Sequence, residues 1–137
     1  MKNFSRRQFI GASSSAFAFQ FLPSRVWGAN ERINVAGIGV GGKGTADVAS
    51  AANAGANIVA LCDVDTVRGA KSIKTFSKAK IYSDFREMLD KQKDVDAVTI
   101  SAPDHIHAVA AMAAMDLGKH IYCQKPLTHS IHEARIL

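Results

Sequence analysis

The chain has 137 residues, only two cysteines and a formal net charge of +5. Four of its 17 basic residues but none of its 12 acidic residues precede position 30, so residues 30–137 carry 13 basic and 12 acidic residues, a net charge of +1. This balance gives no support for a nucleic-acid partner, because binding phosphates over a surface requires a basic patch.

The first 29 residues have the composition of an export signal. The sequence SRRQFI at positions 5–10 resembles the twin-arginine signal, and an uncharged stretch follows at 10–22. As a helix this stretch would measure about 20 Å, whereas the apolar core of a bilayer is about 30 Å thick. Residues 1–29 are therefore predicted to be a removable signal peptide and not a stable membrane anchor, which indicates a periplasmic or other extracytoplasmic protein. The alternative is a disordered basic tail.

Strand and helix patterns alternate five times along residues 30–137. The predicted strands are 32–38, 57–62, 80–82, 95–100 and 120–123. The predicted helices are 45–54, 66–77, 85–91, 106–117 and 131–137, with Asp84, Asp104 and Ser130 as caps of the last three. The alternation predicts an α/β fold, a Rossmann-type doubly wound parallel sheet in the order 3-2-1-4-5. The last helix has no stop signal, so we expect the chain to be a fragment.

A glycine-rich turn follows the first predicted strand. Two registers of G-x-G-x-x-G overlap there, one beginning at Gly37 and one formed by Gly39, Gly41 and Gly44. The second register leaves a strand of ordinary length, and it places Asp63 19 positions after the last glycine. That spacing is close to the value of about 20 expected for an acid that binds the adenosine ribose. In such a turn the glycines allow a tight bend, close approach to a pyrophosphate, and close packing of helix on strand.

Asp63 also indicates which dinucleotide binds. A carboxylate at this position can accept both ribose hydroxyls and would repel a 2′-phosphate, which favours NAD over NADP. Arg68 could accept that phosphate, whereas Asp65 again opposes it. The candidate cofactor-binding residues of this stretch are Gly39, Val40, Gly41, Gly42, Lys43, Gly44, Asp63 and Arg68. The alternative is a flexible glycine loop followed by an ordinary loop aspartate.

Two later segments carry a family resemblance. The sequences APDHIH at 102–107 and GKHIYCQKPL at 118–127 resemble the Pro-Asn/Asp-x-x-His and Gly-Lys-His…Glu-Lys-Pro segments of the Gfo/Idh/MocA oxidoreductases. The match covers about residues 31–137. The resemblance implies an NAD(P)-binding Rossmann domain followed by a substrate domain that is absent here. It also implies hydride transfer on a sugar or polyol, and we expect the full-length protein to be a homo-oligomer.

The resemblance also implies roles for single residues. It places Pro103 and His107 near the cofactor, together with Ala102 and Gln124, and it places Lys125 beside the nicotinamide and the substrate as the catalytic residue. The family's usual glutamate is replaced by Gln124, whose amide cannot hold a charge against Lys125. Independently of the family, Lys125 follows a strand end, where open α/β sheets bind ligands, and it can donate to a hydroxyl or carbonyl oxygen or act as a base.

Neither the histidines nor the cysteines indicate a further site. His129 and His132 could share a helix face, but no neighbouring group completes a metal set, so no metal is predicted. Cys62 and Cys123 end strands that are three spacings apart in the predicted order, about 14 Å at 4.8 Å each. A disulfide needs Cα atoms within about 7 Å, so none is expected.

Three functions compete at this stage. The first is a nicotinamide-dependent oxidoreductase acting on a sugar or polyol. The second is an exported glycosidase that uses a tightly bound NAD for transient oxidation, since NAD-dependent glycosidases are known. The third is a non-catalytic nucleotide-binding module. Export favours a cofactor that is recycled in place.

Overall fold

The computed structural model describes residues 32–137. Its strands are β1 (Asn34–Ile38), β2 (Asn57–Cys62), β3 (Lys80–Tyr82), β4 (Ala97–Ile100) and β5 (His120–Cys123). Its helices are α1 (Lys43–Asn53), α2 (Thr66–Thr75), α3 (Phe85–Lys91), α4 (Asp104–Asp116) and α5 (Ile131–Ile136). All four strand pairs are parallel, and the sheet order is β3-β2-β1-β4-β5. The predicted fold class and strand order are confirmed, while the expected signal peptide at 1–29 lies outside the described residues.

Most element boundaries agree with the sequence, and the differences lie at the ends. Strands β2, β3 and β5 and helix α3 have the predicted bounds, whereas β1 and β4 begin two residues later than predicted. Helix α1 begins at Lys43, two residues early, because Gly42 serves as its N-cap. Helix α2 ends at Thr75 instead of residue 77, and α5 ends at Ile136.

The caps predicted from sequence are right in two of three cases. Asp84 accepts a hydrogen bond from the N–H of Arg86 at 2.8 Å. Ser130 accepts one from the N–H of Glu133 at 3.2 Å, within a capping box. The prediction for Asp104 is wrong, because Pro103 is the N-cap of α4 and Asp104 is already helical. Proline has a fixed φ that suits a helix start, so the chain enters the helix one residue earlier than a side-chain cap would require.

Two apolar clusters cover the two faces of the sheet. Along β2, Ala60 and Cys62 belong to the cluster that includes buried residues of α3 and α4, whereas Leu61 belongs to the cluster with Val48 of α1. Ile73 of α2 packs on this second cluster. Alternate residues of a strand point to opposite faces, so α1 and α2 lie on one face and α3 and α4 on the other. This is the doubly wound arrangement.

The reversal of strand order lies between β1 and β4. The two strands are neighbours, yet β1 is followed in the chain by β2 on one side, and β4 by β5 on the other. In open α/β sheets, ligands bind in the crevice at the carboxyl ends of such a pair. Among the described helices, none has the length and apolar character required to cross a membrane.

Candidate cofactor site

The glycine turn connects β1 to α1 with two very close backbone approaches. Gly37 lies inside β1, so the turn begins at Gly39, which has a φ of +73°. A Cβ on Gly39 would lie 2.6 Å from the backbone nitrogen of Ala102, and one on Gly44 would lie 1.8 Å from the carbonyl oxygen of Gly39. Only glycine fits at either position. The second of the two predicted registers is therefore the one that forms the turn, and Gly44 lets the helix pack against the strand end.

Helix α2 covers the middle of the turn. A Cβ on Gly41 would meet the Cβ of Arg68 at 3.0 Å, so this glycine leaves room for α2. Helix α1 begins at the N-cap Gly42 with no side-chain cap and no acidic residue in its first turn. The first N–H groups of a helix without such acceptors favour an anion. The start of α1 therefore presents a suitable site for a phosphate group.

Asp63 holds the turn from the end of β2. Its Oδ2 accepts hydrogen bonds from the backbone N–H groups of Val40, at 2.8 Å, and Gly41, at 3.0 Å. Its Oδ1 accepts one from the N–H of Asp65 at 2.9 Å. A carboxylate has about four acceptor positions, so about one remains for a ribose hydroxyl, where the sequence suggested two. Asp63 is thus a structural clamp of the turn in addition to a candidate ligand.

A cavity of about 380 Å³ lies at the carboxyl ends of β1 to β4. Four of the predicted cofactor residues line it: Gly39, Asp63, Ala102 and Pro103. The other lining residues, not predicted, are Ile38, Cys62, Val64, Ser83, Asp84, Phe85, Arg86, His105 and Ile106. Several of them directly follow strands β2 and β3, and the rule that ligands bind at carboxyl strand ends would have identified them.

Arg86 is the cationic member of this cavity. Its guanidinium lies 4.6 Å from the centre of the Phe85 ring and 3.6 Å from the carboxylate of Asp84. Guanidinium groups stack on aromatic faces and are weakly hydrated, so Arg86 can offer a planar surface at the cavity edge.

His107 joins the segment after β4 to the segment after β5. It is 1% exposed, and its Nε2 lies 2.7 Å from the carbonyl oxygen of Ala102. Its Nδ1 lies 2.6 Å from the carbonyl oxygen of Pro126. The ring thus occupies the space between the two family segments and holds them together, while Lys125 is exposed next to Pro126.

A second set of polar side chains surrounds Asp47 on α1, and this set was not predicted from the sequence. Its Oδ2 accepts hydrogen bonds from Ser101 Oγ at 2.7 Å and Gln124 Nε2 at 2.9 Å. Lys43 Nζ lies 2.9 Å from its Oδ1. Burial by itself would raise the pKa of Asp47, but the hydrogen bonds from Lys43, Ser101 and Gln124 outweigh burial and lower the pKa below its ordinary value. The only sequence signal was the spacing of four between Lys43 and Asp47.

Six of the predicted site residues therefore fall into two groups. Gly39, Asp63, Ala102 and Pro103 line the cavity, whereas Lys43 and Gln124 meet at Asp47. Both cysteines are free, and within residues 32–137 no group of three or more histidine, cysteine or acidic side chains is placed to hold a metal ion.

Two known proteins are similar to this chain in sequence. The inositol 2-dehydrogenase of Salmonella typhimurium is 33% identical over 93 residues, which are 66% of this chain and 27% of that protein. A glycosyl hydrolase family 109 protein of Stenotrophomonas maltophilia is 30% identical over 131 residues, with 87% of this chain and 29% of that protein covered. The chain thus spans less than a third of the length of either relative.

A solved structure shows the same fold. The myo-inositol dehydrogenase of Lactobacillus casei, in complex with NAD(H) and myo-inositol, superposes with a TM-score of 0.70 at 30% sequence identity. The match covers 77% of this chain and 32% of that one. The family model described as "Oxidoreductase family, NAD-binding Rossmann fold" matches residues 32–137. The chain therefore belongs to the GFO/IDH/MocA oxidoreductase family.

Proposed function

We propose that this chain is the cofactor-binding part of an NAD-dependent oxidoreductase that acts on a hydroxyl group of a sugar or polyol. The observation that carries the proposal is the glycine turn, which Asp63 clamps beside a cavity at the reversal of strand order. The described residues fit NAD. The uncapped start of α1 suits the pyrophosphate, and the cavity at the carboxyl strand ends suits the adenosine.

The chemistry requires few groups from this chain. Bound NAD would accept a hydride from the carbon that carries the substrate hydroxyl. We assign Lys125 to the hydroxyl oxygen, where it would take up the proton that the hydroxyl group loses. Lys125 follows β5 at the carboxyl edge of the sheet, and His107 holds the adjoining Pro126 against the segment after β4. His107 would thereby keep the lysine at a constant distance from the cofactor site.

Relatives indicate the substrate class. Those named as inositol 2-dehydrogenases and the levoglucosan dehydrogenase of Pseudarthrobacter phenanthrenivorans, which is 37% identical over 77 residues, support a sugar or polyol. Because the chain spans less than a third of the Salmonella relative, we propose that the complete protein adds a substrate domain. That the complete protein is a homo-oligomer stays a prediction from the family resemblance. The 137-residue chain alone should not oxidise sugars.

The test uses the complete protein, including the proposed substrate domain. Purified protein is incubated with NAD and a panel that includes myo-inositol, glucose and levoglucosan, and NADH is followed by absorbance. Oxidation of at least one compound that is lost in the Lys125→Met variant, with NAD affinity retained, supports the proposal. Oxidation that survives in Lys125→Met would contradict the role of this lysine.

A second candidate, an NAD-dependent glycosidase, is favoured by one observation. Residues 32–137 are 106 of the 137 residues, so the match of 87% to the glycosyl hydrolase family 109 protein must extend into residues 1–31. In an NAD-dependent glycosidase, the bound NAD would be reduced and reoxidised within each catalytic cycle, so no NADH would accumulate. Release of nitrophenol from nitrophenyl glycosides, without net NADH formation, would select this candidate.

We also propose that residues 1–29 direct export by the twin-arginine pathway and that the mature protein is extracytoplasmic. The support is the arginine pair at positions 6 and 7, followed by an uncharged stretch too short to span a bilayer. Replacing both arginines by lysine should leave the precursor in the cytoplasm, as measured by fractionation. Normal export of that variant would contradict the proposal.

A further inference from the structure

One carboxylate connects three separate parts of the fold. Asp47 lies on α1, Ser101 directly follows β4, and Gln124 directly follows β5. The oxygen Oδ2 accepts from Ser101 and Gln124 at 2.7 and 2.9 Å. Two of these segments, α1 and the residue after β4, adjoin the reversal of strand order between β1 and β4, and the third follows the neighbouring strand β5. A single side chain thus connects α1 to the ends of β4 and β5, where the two segments with the family resemblance lie.

The surroundings of this carboxylate differ from those of an ordinary surface ion pair. The side chain of Asp47 is 6% exposed, whereas that of its partner Lys43 is 65% exposed. The other lysine–acid pairs of the described residues, such as Asp90 with Lys93, are exposed on both sides. A buried carboxylate needs its hydrogen-bond donors, because an unsatisfied buried charge is costly. Ser101 and Gln124 therefore stabilise the buried charge of Asp47 by donating hydrogen bonds to it.

We propose that Asp47 is a positioning residue of the NAD site. Asp47 fixes the position of Gln124 relative to α1, and through Gln124 it fixes the position of the adjoining Lys125. The role toward NAD rests on the proposed function. It follows that position 124 requires a hydrogen-bond donor. A glutamate there would bring two carboxylate oxygens to about 3 Å, where they would repel or have to share a proton. The amide of Gln124 is thus matched to the charge of Asp47.

The first experiment is a double-mutant cycle in thermal unfolding of the 137-residue chain without cofactor. Gln124→Glu should lower the melting temperature by about 5 °C, and the loss should be smaller at pH 5 than at pH 8, because protonation relieves the repulsion. The double variant Asp47→Asn with Gln124→Glu should recover at least half of that loss, since one carboxylate again faces one amide. Asp47→Asn completes the cycle, and Asp90→Asn is the matched control that should leave the melting temperature unchanged.

The second experiment separates positioning from general stability. NAD and ADP are titrated into the same chains by calorimetry, since ADP has the adenosine and pyrophosphate but lacks the nicotinamide half. Gln124→Glu should weaken NAD binding about tenfold while changing ADP binding less than twofold. Should this variant not fold, Gln124→Met, which lacks the donor but adds no charge, should still weaken NAD more than ADP.

The outcomes are distinguishable. Additive effects of Asp47→Asn and Gln124→Glu on the melting temperature would overturn the proposed coupling, and equal losses of NAD and ADP affinity would overturn the positioning role. A chain that shows the thermal coupling but does not bind NAD would overturn the proposed function and the role toward NAD, while leaving the contact itself established.

Discussion

Asp63 shows how a single residue can combine a structural and a recognition role. Three backbone N–H groups already donate to its carboxylate, and two of them belong to the glycine turn. The side chain also lines the cavity. A substitution that removes all its oxygens would therefore disturb the turn and the cofactor preference together. An informative variant has to keep an acceptor while it removes the charge.

Asp63→Asn meets that requirement. The amide oxygen can still accept from Val40 and Gly41, whereas the lost charge no longer repels a 2′-phosphate. We expect the ratio of NADP to NAD affinity to rise about tenfold, equivalent to about 1.4 kcal/mol, as measured by titrating both cofactors. Asp116→Asn, at an exposed position, is the control. An unchanged ratio would show that Asp63 does not face the ribose.

The cysteines should be unreactive in the folded chain. Burial foremost, with nearby acidic groups, raises the pKa of Cys62 from 9.0 to about 12, and burial raises the pKa of Cys123. The reactive form of cysteine is the thiolate, so a thiol reagent at pH 8 should label both residues slowly in the native chain and rapidly in denaturant. Because unfolded Cys62 ionises near pH 9.0 while folded Cys62 stays protonated to about pH 12, this residue lowers stability as the pH rises between these values. Rapid labelling of Cys62 in the native chain, or a disulfide between Cys62 and Cys123 in non-reducing mass spectrometry, would contradict the prediction that both cysteines are unreactive.

At the scale of elements, the junction of β1 and α1 contains a glycine that is required by close packing and not by turn conformation. Gly44 is in the first turn of the helix and its φ is not positive, yet it has the closest backbone approach of any described glycine. Gly118, after α4, has the opposite character, with a φ of +69° and no atom within 4 Å of the position that a Cβ would occupy. Gly44 is therefore required because a side chain would not fit, whereas Gly118 is required because of its backbone conformation.

Replacing each by alanine tests this distinction. Gly44→Ala should lower the free energy of unfolding by about 3 kcal/mol or more, because the new Cβ would collide with the carbonyl oxygen of Gly39. Gly118→Ala should lower it by about 1–2 kcal/mol, because a left-handed conformation is unfavourable for a residue with a side chain. Urea unfolding measures both, and equal losses would contradict the close approach.

The sequence predicted the elements well because each has a local signal. Alternating strand and helix patterns with glycine stops located all ten elements, and the glycine spacing identified Asp63. Asp104 was misassigned because its neighbour Pro103, which also starts helices, competes for the same position. Asp47 was missed for a different reason. Its partner Gln124 lies 77 positions away, and only the folding of β5 beside β4 brings the two together.

At the scale of the whole molecule, the described residues contain the elements of an NAD-binding Rossmann fold. Gly39 of the glycine turn lines the cavity, and Asp47 lies on α1, the helix that follows the turn. The chain spans 32% of the Lactobacillus casei dehydrogenase, so we expect the contacts that position the substrate to come from further sequence. Positioning alone can account for about 7–11 kcal/mol of a barrier, which is why cofactor binding and turnover should separate in this chain.

The most direct test of the cofactor site is a calorimetric titration of the 137-residue chain with NAD. The site predicts saturable binding of one NAD per chain, displaced by ADP and weakened at least tenfold by Gly44→Ala. Heats that do not saturate, or NAD binding that Gly44→Ala leaves unchanged, would contradict the assignment of the glycine turn as the dinucleotide site.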